Sequence, residues 1–238
     1  MASLWQFREE RLLLNNSGKP VLAIETTGSV CSVALYKSSS HYLSVSVKMD
    51  KAHSKKILGL IDSAFRDYGM TPREISGVCV SEGPGSFTGL RLGFAAAKGI
   101  AFGAGVGILK VPTFEALAYE ISSFQPNGSK NLILTKAALE ESYIYGFEVG
   151  GDSDSLGFTE TFPLSLTENS KIEKIINEER YDRIFSNIKL NLHSISEKTS
   201  PDAFWIAKYA EKKLKFAFDS KIDFVDPYYF KNFVVKAK

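Results

Sequence analysis

Three glycines and a proline in Gly83-Pro84-Gly85-Ser86-Phe87-Thr88-Gly89-Leu90-Arg91 separate an apolar run from a long stretch of small residues. A strand that ends in a glycine turn and feeds a helix start presents backbone N–H groups, and such a terminus can hold an anion. The same glycines also permit a sharp turn and close packing with no ligand involved. The stretch is not a P-loop, since no Gly-Lys-Ser/Thr closes it. Glu25, followed by Thr26-Thr27-Gly28, is placed as a phosphate or metal site would place a carboxylate. An ordinary sheet-edge carboxylate bonded to turn N–H groups fits that position equally well. His53 opens a helical pattern, but the residue four positions on is Ile57, so a helical metal pair is missing its second histidine. His41 and His193 sit in polar sequence without an obvious partner, and no Gly-x-Ser-x-Gly elbow occurs. Cys31 and Cys79 lie in apolar strand patterns rather than in basic, helix-start settings that would lower a thiol pKa. No catalytic set and no metal ligand set emerges from these residues.

The elements that position these candidates follow from periodicity. Pro20 to Glu25 is a short apolar strand, and Thr26-Thr27-Gly28 turns it into a second, Ser29 to Tyr36. Tyr42 to Val47 alternates with period two and suits a half-exposed third strand. Three antiparallel strands followed by a helix disfavour a Rossmann order, in which a helix follows the first strand. That helix runs from His53 to Tyr68, stopped by Gly69. A buried strand from Ile75 to Ser81 leads into the glycine block, and a helix from Gly89 to about Phe102 follows it. On this second helix Gly89, Gly93, Ala97 and Ala101 recur every four residues, so one face is nearly bare backbone that another helix can approach. A contact within the fold and a contact between subunits both account for that face.

Val106 to Val111 reads as a strand and Phe114 to Ile121 as a short helix. Asn131 to Thr135, Ser142 to Glu148 and Phe158 to Leu164 read as strands of a second sheet. Ser170-Lys171-Ile172-Glu173 has capping-box spacing and opens a helix through about Glu179. Ser200 before Pro201 caps a helix from Pro201 to about Leu214. Its lysines Lys208, Lys212 and Lys213, with Lys215 just beyond, complement the helix dipole as a solvated face or form a patch for RNA.

The chain has 238 residues and a formal charge of +2 from 29 basic and 27 acidic side chains. Length allows two lobes, and the charge balance leaves no global electrostatic footprint for nucleic acid. Two cysteines without metal-type spacing suit a reducing compartment. No apolar run is long enough for a membrane helix and the first ten residues lack a signal-type core, so a cytoplasmic location is expected.

Ala23-Ile24-Glu25-Thr26-Thr27, Cys31-Ser32-Val33-Ala34-Leu35, His53-Ser54, the block from Gly83 to Arg91 and Ala97-Lys98-Gly99 together resemble the TsaB (YeaZ) family. The resemblance is close over residues 20–121 and beyond that rests on length and the ending Pro227-Tyr228-Tyr229-Phe230. It implies an α/β protein of actin-like (ASKHA, RNase H-like) fold, with two lobes each built on a mixed sheet flanked by helices. The domains expected are a leader over 1–19, a first lobe over 20–112, a diverged second lobe over 113–214 and a tail over 215–238.

The resemblance further implies a non-catalytic subunit in bacterial synthesis of threonylcarbamoyladenosine, the tRNA modification beside the anticodon. The partners implied are a TsaD-like protein, which carries the transfer chemistry with a His-x-x-x-His pair, and a TsaE-like ATPase. A homodimer is implied for the chain alone, with tRNA reached through the complex. By the same analogy the first two helices form the subunit contact, through His53, Lys55, Lys56, Leu60, Gly89, Leu90, Gly93, Phe94 and Ala97. Ala97→Arg is then expected to abolish dimerisation while leaving the fold intact. Nucleotide binding by Glu25, Thr26 and Thr27 is weakened because Glu25 replaces the family's usual Asp. No cofactor is expected in the chain itself, and ATP is confined to a partner or subunit interface. Lys55 stands where the family has Glu, Gly59 where it has Pro, Thr135-Lys136-Ala137-Ala138 where it has Ile-Asp-Ala-Arg, and Lys231 where it has Arg. The competing class is a phosphotransferase or protease-like hydrolase on the same scaffold, drawing on the turns at Thr26-Thr27-Gly28 and Gly85-Ser86.

Overall fold

The computed structural model describes residues 18–48, 53–150, 157–188 and 195–230, with His53, Ser54, Lys55 and Ile195 described by backbone alone. The expectations placed on the leader before Gly18, on His193 and on Lys231 lie outside the described residues. Strand β1 (Val21–Glu25) is followed by β2 (Val30–Ser38), β3 (His41–Lys48), helix α1 (His53–Tyr68), β4 (Val78–Gly83), α2 (Phe87–Ala104), β5 (Ile108–Pro112) and α3 (Thr113–Ser122). The second half holds β6 (Lys130–Lys136), β7 (Glu141–Val149), β8 (Phe158–Glu168), α4 (Asn169–Glu179), β9 (Arg183–Ser186), β10 (Ile195–Ser196) and α5 (Ala203–Lys212).

The first sheet has the order β3-β2-β1-β4-β5 and the second β10-β9-β6-β7-β8. These are one plan used twice, with β6 in the place of β1. In each half the first three strands form antiparallel hairpins, and the fourth returns parallel to the first. A parallel return needs a crossover, which α1 provides in the first half and α4 in the second. Central β1 is buried at every residue, which explains its unbroken apolar run, whereas edge strand β3 alternates as period two predicts.

Helix ends follow local chemistry. Ser86 Oγ accepts from Gly89 N–H at 3.2 Å, so α2 starts at Phe87, earlier than its apolar periodicity alone indicated. Gly69 at φ +76° and Gly105 at φ +68° close α1 and α2. Each lets the following N–H, of Met70 and Val106, reach back to Phe65 and Ala101 carbonyls at 3.0 Å. Two caps differ from expectation. Asp202, accepting from Phe204 N–H at 3.0 Å, caps α5 in place of Ser200, which is buried against Gly28. Ser170 lies inside α4, which begins at Asn169 without a side-chain cap.

The two halves exchange helices. From α3, which follows β5, Phe114, Leu117 and Ile121 pack with Ile133, Tyr145 and Phe147 of the second sheet. From α5, which follows β10, Ala203, Ile206, Ala207 and Ala210 pack on Val21, Ala23, Ala34 and Tyr36 of the first. Phe216 and Phe218 join that core, and Asp219 bridges to Ile108. Each sheet thereby buries one face under the other half's helix, which fixes the cleft between them.

Candidate functional site

Glu25 is fully buried at the C-terminal end of β1. One carboxylate oxygen accepts from Thr27 N–H and from Thr27 Oγ1–H, both at 2.5 Å, and the other accepts from the Ser81 hydroxyl of β4. Burial pushes its pKa up to about 7, against the lowering pull of the Ser81 and Thr27 hydrogen bonds and of the Lys198 charge. The carboxylate therefore ties the first turn to the neighbouring strand and does not line the cleft. Thr26 Oγ1 donates to the Gly89 carbonyl at 2.7 Å, which joins the same turn to the first residues of α2.

This junction explains the glycines. A Cβ at Gly89 would overlap the Thr26 carbonyl oxygen, one at Gly93 would lie 2.5 Å from Thr26 Oγ1, and one at Gly85 would lie 2.6 Å from Thr27 Cβ. Gly89 and Gly93 thus face the chain's own first turn, and Ala97 and Ala101 of the same series are buried in the core. The expectation that this face is open to a second subunit is corrected: Gly89, Leu90, Gly93, Phe94 and Ala97 are all buried within the chain. Ala97 is 0% exposed, so Ala97→Arg places a charge in the core and tests folding instead of dimerisation. Of the α1 residues expected at the contact, Lys56 is exposed and Leu60 half-buried, while His53 and Lys55 are placed by backbone alone.

Four N–H groups of the two turns are engaged by the protein. Thr27 N–H goes to Glu25, Ser86 N–H to the Thr27 carbonyl at 2.8 Å, Gly83 N–H to Thr113 Oγ1 at 3.0 Å and Gly89 N–H to Ser86 Oγ. These bonds, with the glycine contacts, support the turn-and-packing reading of the block.

Between the sheets lies a cleft of about 710 Å³, with Thr27, Gly85 and Ser86 on one wall and Thr135, Lys136 and Asn187 on the other. Phe87 packs against Tyr229 at a tilt of 44° with centroids 5.3 Å apart and carries Arg91 over its ring at 4.4 Å. Phe230 meets Tyr143 at 5.7 Å. Among the described residues lining the cleft, Lys136 alone carries a charge. Such a space can seat a ligand or a chain segment, but it brings no acid–base pair and no activated nucleophile together. Burial pushes the Cys31 thiol up to about 11 and Cys79 higher still, the reverse of what a nucleophilic thiol needs.

A second surface was not singled out by the sequence pattern. On the outer side of α2, Ala95, Gly99, Phe102 and Gly103 are exposed, Phe102 at 80%. Leu58 of the adjoining α1 is 65% exposed, and a Cβ added at Gly59, Gly99 or Gly103 would meet nothing within 4 Å. A groove of about 450 Å³ lined by Thr71, Pro72, Arg73, Gly99, Ile100 and Gly103 runs beside it. The available signal was a second small-residue series, Ala95, Gly99 and Gly103, offset by two positions from the first.

Two mixed sheets of one topology, holding a cleft between exchanged helices, define an α/β protein of actin-like (ASKHA) fold. A solved Pseudomonas aeruginosa protein described as uncharacterized with similarity to peptidase YEAZ superposes with a TM-score of 0.72 at 17% identity, covering 90% of this chain and 100% of that one. The family model described as TsaD, tRNA N6-adenosine threonylcarbamoyltransferase, matches residues 46–224. The tRNA threonylcarbamoyladenosine biosynthesis protein TsaB of Haemophilus influenzae is 30% identical over 125 residues, 52% of this chain and 51% of its own length. That of Bacillus subtilis is 32% identical over 98 residues, 41% and 43% of the two chains. The chain spans about half the length of these curated relatives. The chain belongs to the family that the TsaD model describes, and the curated relatives it matches there are named TsaB.

Proposed function

We propose that this chain serves the synthesis of threonylcarbamoyladenosine in tRNA as a non-catalytic subunit that holds a TsaD-like protein. The names of its relatives and of the matching family model support the pathway. The observation that carries the subunit role is the outer face of α1 and α2, where Leu58, Ala95, Gly99, Phe102 and Gly103 leave an apolar, backbone-close surface uncovered. Small residues let a partner helix approach closely, and the two large exposed side chains supply the area. In this reading the same face pairs two copies when the partner is absent, and a TsaE-like ATPase supplies the nucleotide chemistry. ATP is held at a partner or subunit interface, and the tRNA adenosine beside the anticodon is reached through the complex. The chain works in the cytoplasm, and no described helix is long and apolar enough to cross a membrane.

Size-exclusion chromatography of the chain mixed with its cognate TsaD-like protein at micromolar concentration is expected to give one co-eluting peak. Gly99→Arg is expected to give two separate peaks with a denaturation midpoint no lower than that of the wild type. Two unshifted peaks for the wild-type mixture refute the reading.

A further inference from the structure

On the side of the first sheet opposite α1, an aromatic terrace lies open beside a run of lysines. Tyr42 of β3, 48% exposed, packs on Phe204 of α5 with centroids 4.3 Å apart. Phe204 meets Trp205 at 5.2 Å, and Trp205 meets Tyr119 of α3 at 5.6 Å. The Lys208 ammonium sits 4.5 Å above the Trp205 ring and 5.6 Å from that of Phe204. Trp205, Lys208 and Lys212 follow one another at helical spacing along about 10 Å of α5, and Lys213 and Lys215 lie in the turn beyond its end, so the terrace continues as positive charge.

The carboxylates near this stripe are committed elsewhere. Glu211 accepts from the Tyr36 hydroxyl at 2.5 Å, Asp202 from the hydroxyls of Ser44 and Ser46, and Glu115 from that of Tyr209. Glu120 pairs with Lys198 at 2.7 Å. Among the described residues, Lys208, Lys212, Lys213 and Lys215 have no ion-pair partner. A helix that only capped its dipole would need charge in its last turn, but not four unpaired lysines running out from a half-open tryptophan. Aromatic faces next to unpaired cations are what a nucleic-acid strand recognises, its bases stacking on the rings and its phosphates meeting the charges.

We propose that this terrace docks a single-stranded RNA segment, with bases stacked at Tyr42 and Trp205 and phosphates paired to Lys212, Lys213 and Lys215. Lys208 swings from the Trp205 ring to the strand as a base takes its place. The choice of RNA over DNA rests on the pathway reading above, whereas the stacking platform does not.

The test is fluorescence anisotropy of the full chain with a labelled single-stranded RNA 12-mer and its DNA counterpart over a salt series. The wild type is expected to bind the RNA with a linear log–log salt dependence. Lys212→Gln, Lys213→Gln and Lys215→Gln together are expected to reduce the slope by about 2, at about 0.7 for each phosphate left without its lysine. Trp205→Ala is expected to weaken binding at least about fivefold without changing the slope, and Trp205→Phe to restore it. Circular dichroism of each variant separates impaired binding from impaired folding. No RNA binding at low salt, or a slope unchanged by the triple variant in a folded chain, overturns the proposal. Equal binding of RNA and DNA overturns the choice of RNA. Loss of TsaD-like partner binding in Trp205→Ala with RNA binding intact assigns the terrace to protein docking and overturns the proposal too. The chromatographic test of the subunit reading uses Gly99 on the other side of the sheet, so the two can fail separately.

Discussion

Replacing Gly89 by alanine separates the inner and outer faces of α2 by their energetics. In an unconstrained helix interior, Gly→Ala stabilises by about 1 kcal/mol because alanine loses less backbone entropy. At Gly89 the new methyl overlaps the Thr26 carbonyl oxygen and sits 3.1 Å from the carbonyl carbon and 3.2 Å from Ser86 Cβ. Two of these neighbours are backbone atoms and cannot rotate away. The turn must move outward, which breaks the 2.7 Å bond from Thr26 Oγ1 to the Gly89 carbonyl. Overpacking of this kind costs about 1–3 kcal/mol and the loss of a buried hydrogen bond about 1 kcal/mol more. Set against the entropic gain, the net loss is about 2 kcal/mol. Gly99→Ala, on the outer face with nothing within 4 Å, keeps the entropic gain alone. Urea denaturation followed by circular dichroism at one protein concentration should lower the midpoint by about 1 M for Gly89→Ala and raise it slightly for Gly99→Ala. Equal or raised midpoints for both variants would refute the assignment of the Gly89 face to the first turn.

Three further outcomes follow from the same junction. Glu25, held near pH 7 when folded and titrating near 4.5 when exposed, binds its proton more tightly in the native state. This group's contribution to stability is full below pH 4.5 and is lost between about 4.5 and 7, by roughly 3 kcal/mol, levelling off above. Glu25→Gln should remove that part of the fall, and parallel stability–pH curves for the two proteins count against the burial argument. Ser86→Ala removes the N-cap of α2 and should cost about 1 kcal/mol, read from the same urea titration. Calorimetry of the isolated chain with ATP and Mg²⁺ should show no micromolar binding, because the N–H groups of Thr27, Ser86 and Gly89 already bond to the protein and Lys136 is the one charged side chain among the described residues lining the cleft. Micromolar heat with turnover would favour the phosphotransferase reading instead.

Much of the scaffold was legible because it obeys local rules. Period two marked β3, short apolar runs marked β1 and β4, and Gly69 marked the end of α1. The short strands β9 and β10 were missed, since four and two residues carry too little periodicity to distinguish from a loop. Ser200-Pro201-Asp202 offered two capping residues side by side, and only the burial of Ser200 against Gly28 decided for Asp202. For the site, spacing singled out Glu25 to Gly28 and Gly83 to Gly93 but left open what the small-residue face meets, and the family analogy pointed it at another subunit. A stripe of glycines looks the same whether a partner subunit or a turn of the same chain lies against it.

What the sequence by itself determined is the order of elements as far as β8, the family signature in the first hundred or so residues, and that Ile57 stands where a second helical histidine would be. Periodicity and side-chain chemistry are local, so they survive without coordinates. Only the tertiary structure decided which face of α2 is closed by Thr26, which glycines stand open to solvent, and that α5 crosses to the first sheet. Those depend on what lies opposite a residue in space. Thr26 and Gly89 are separated by 63 positions along the chain, a distance over which no local pattern carries information.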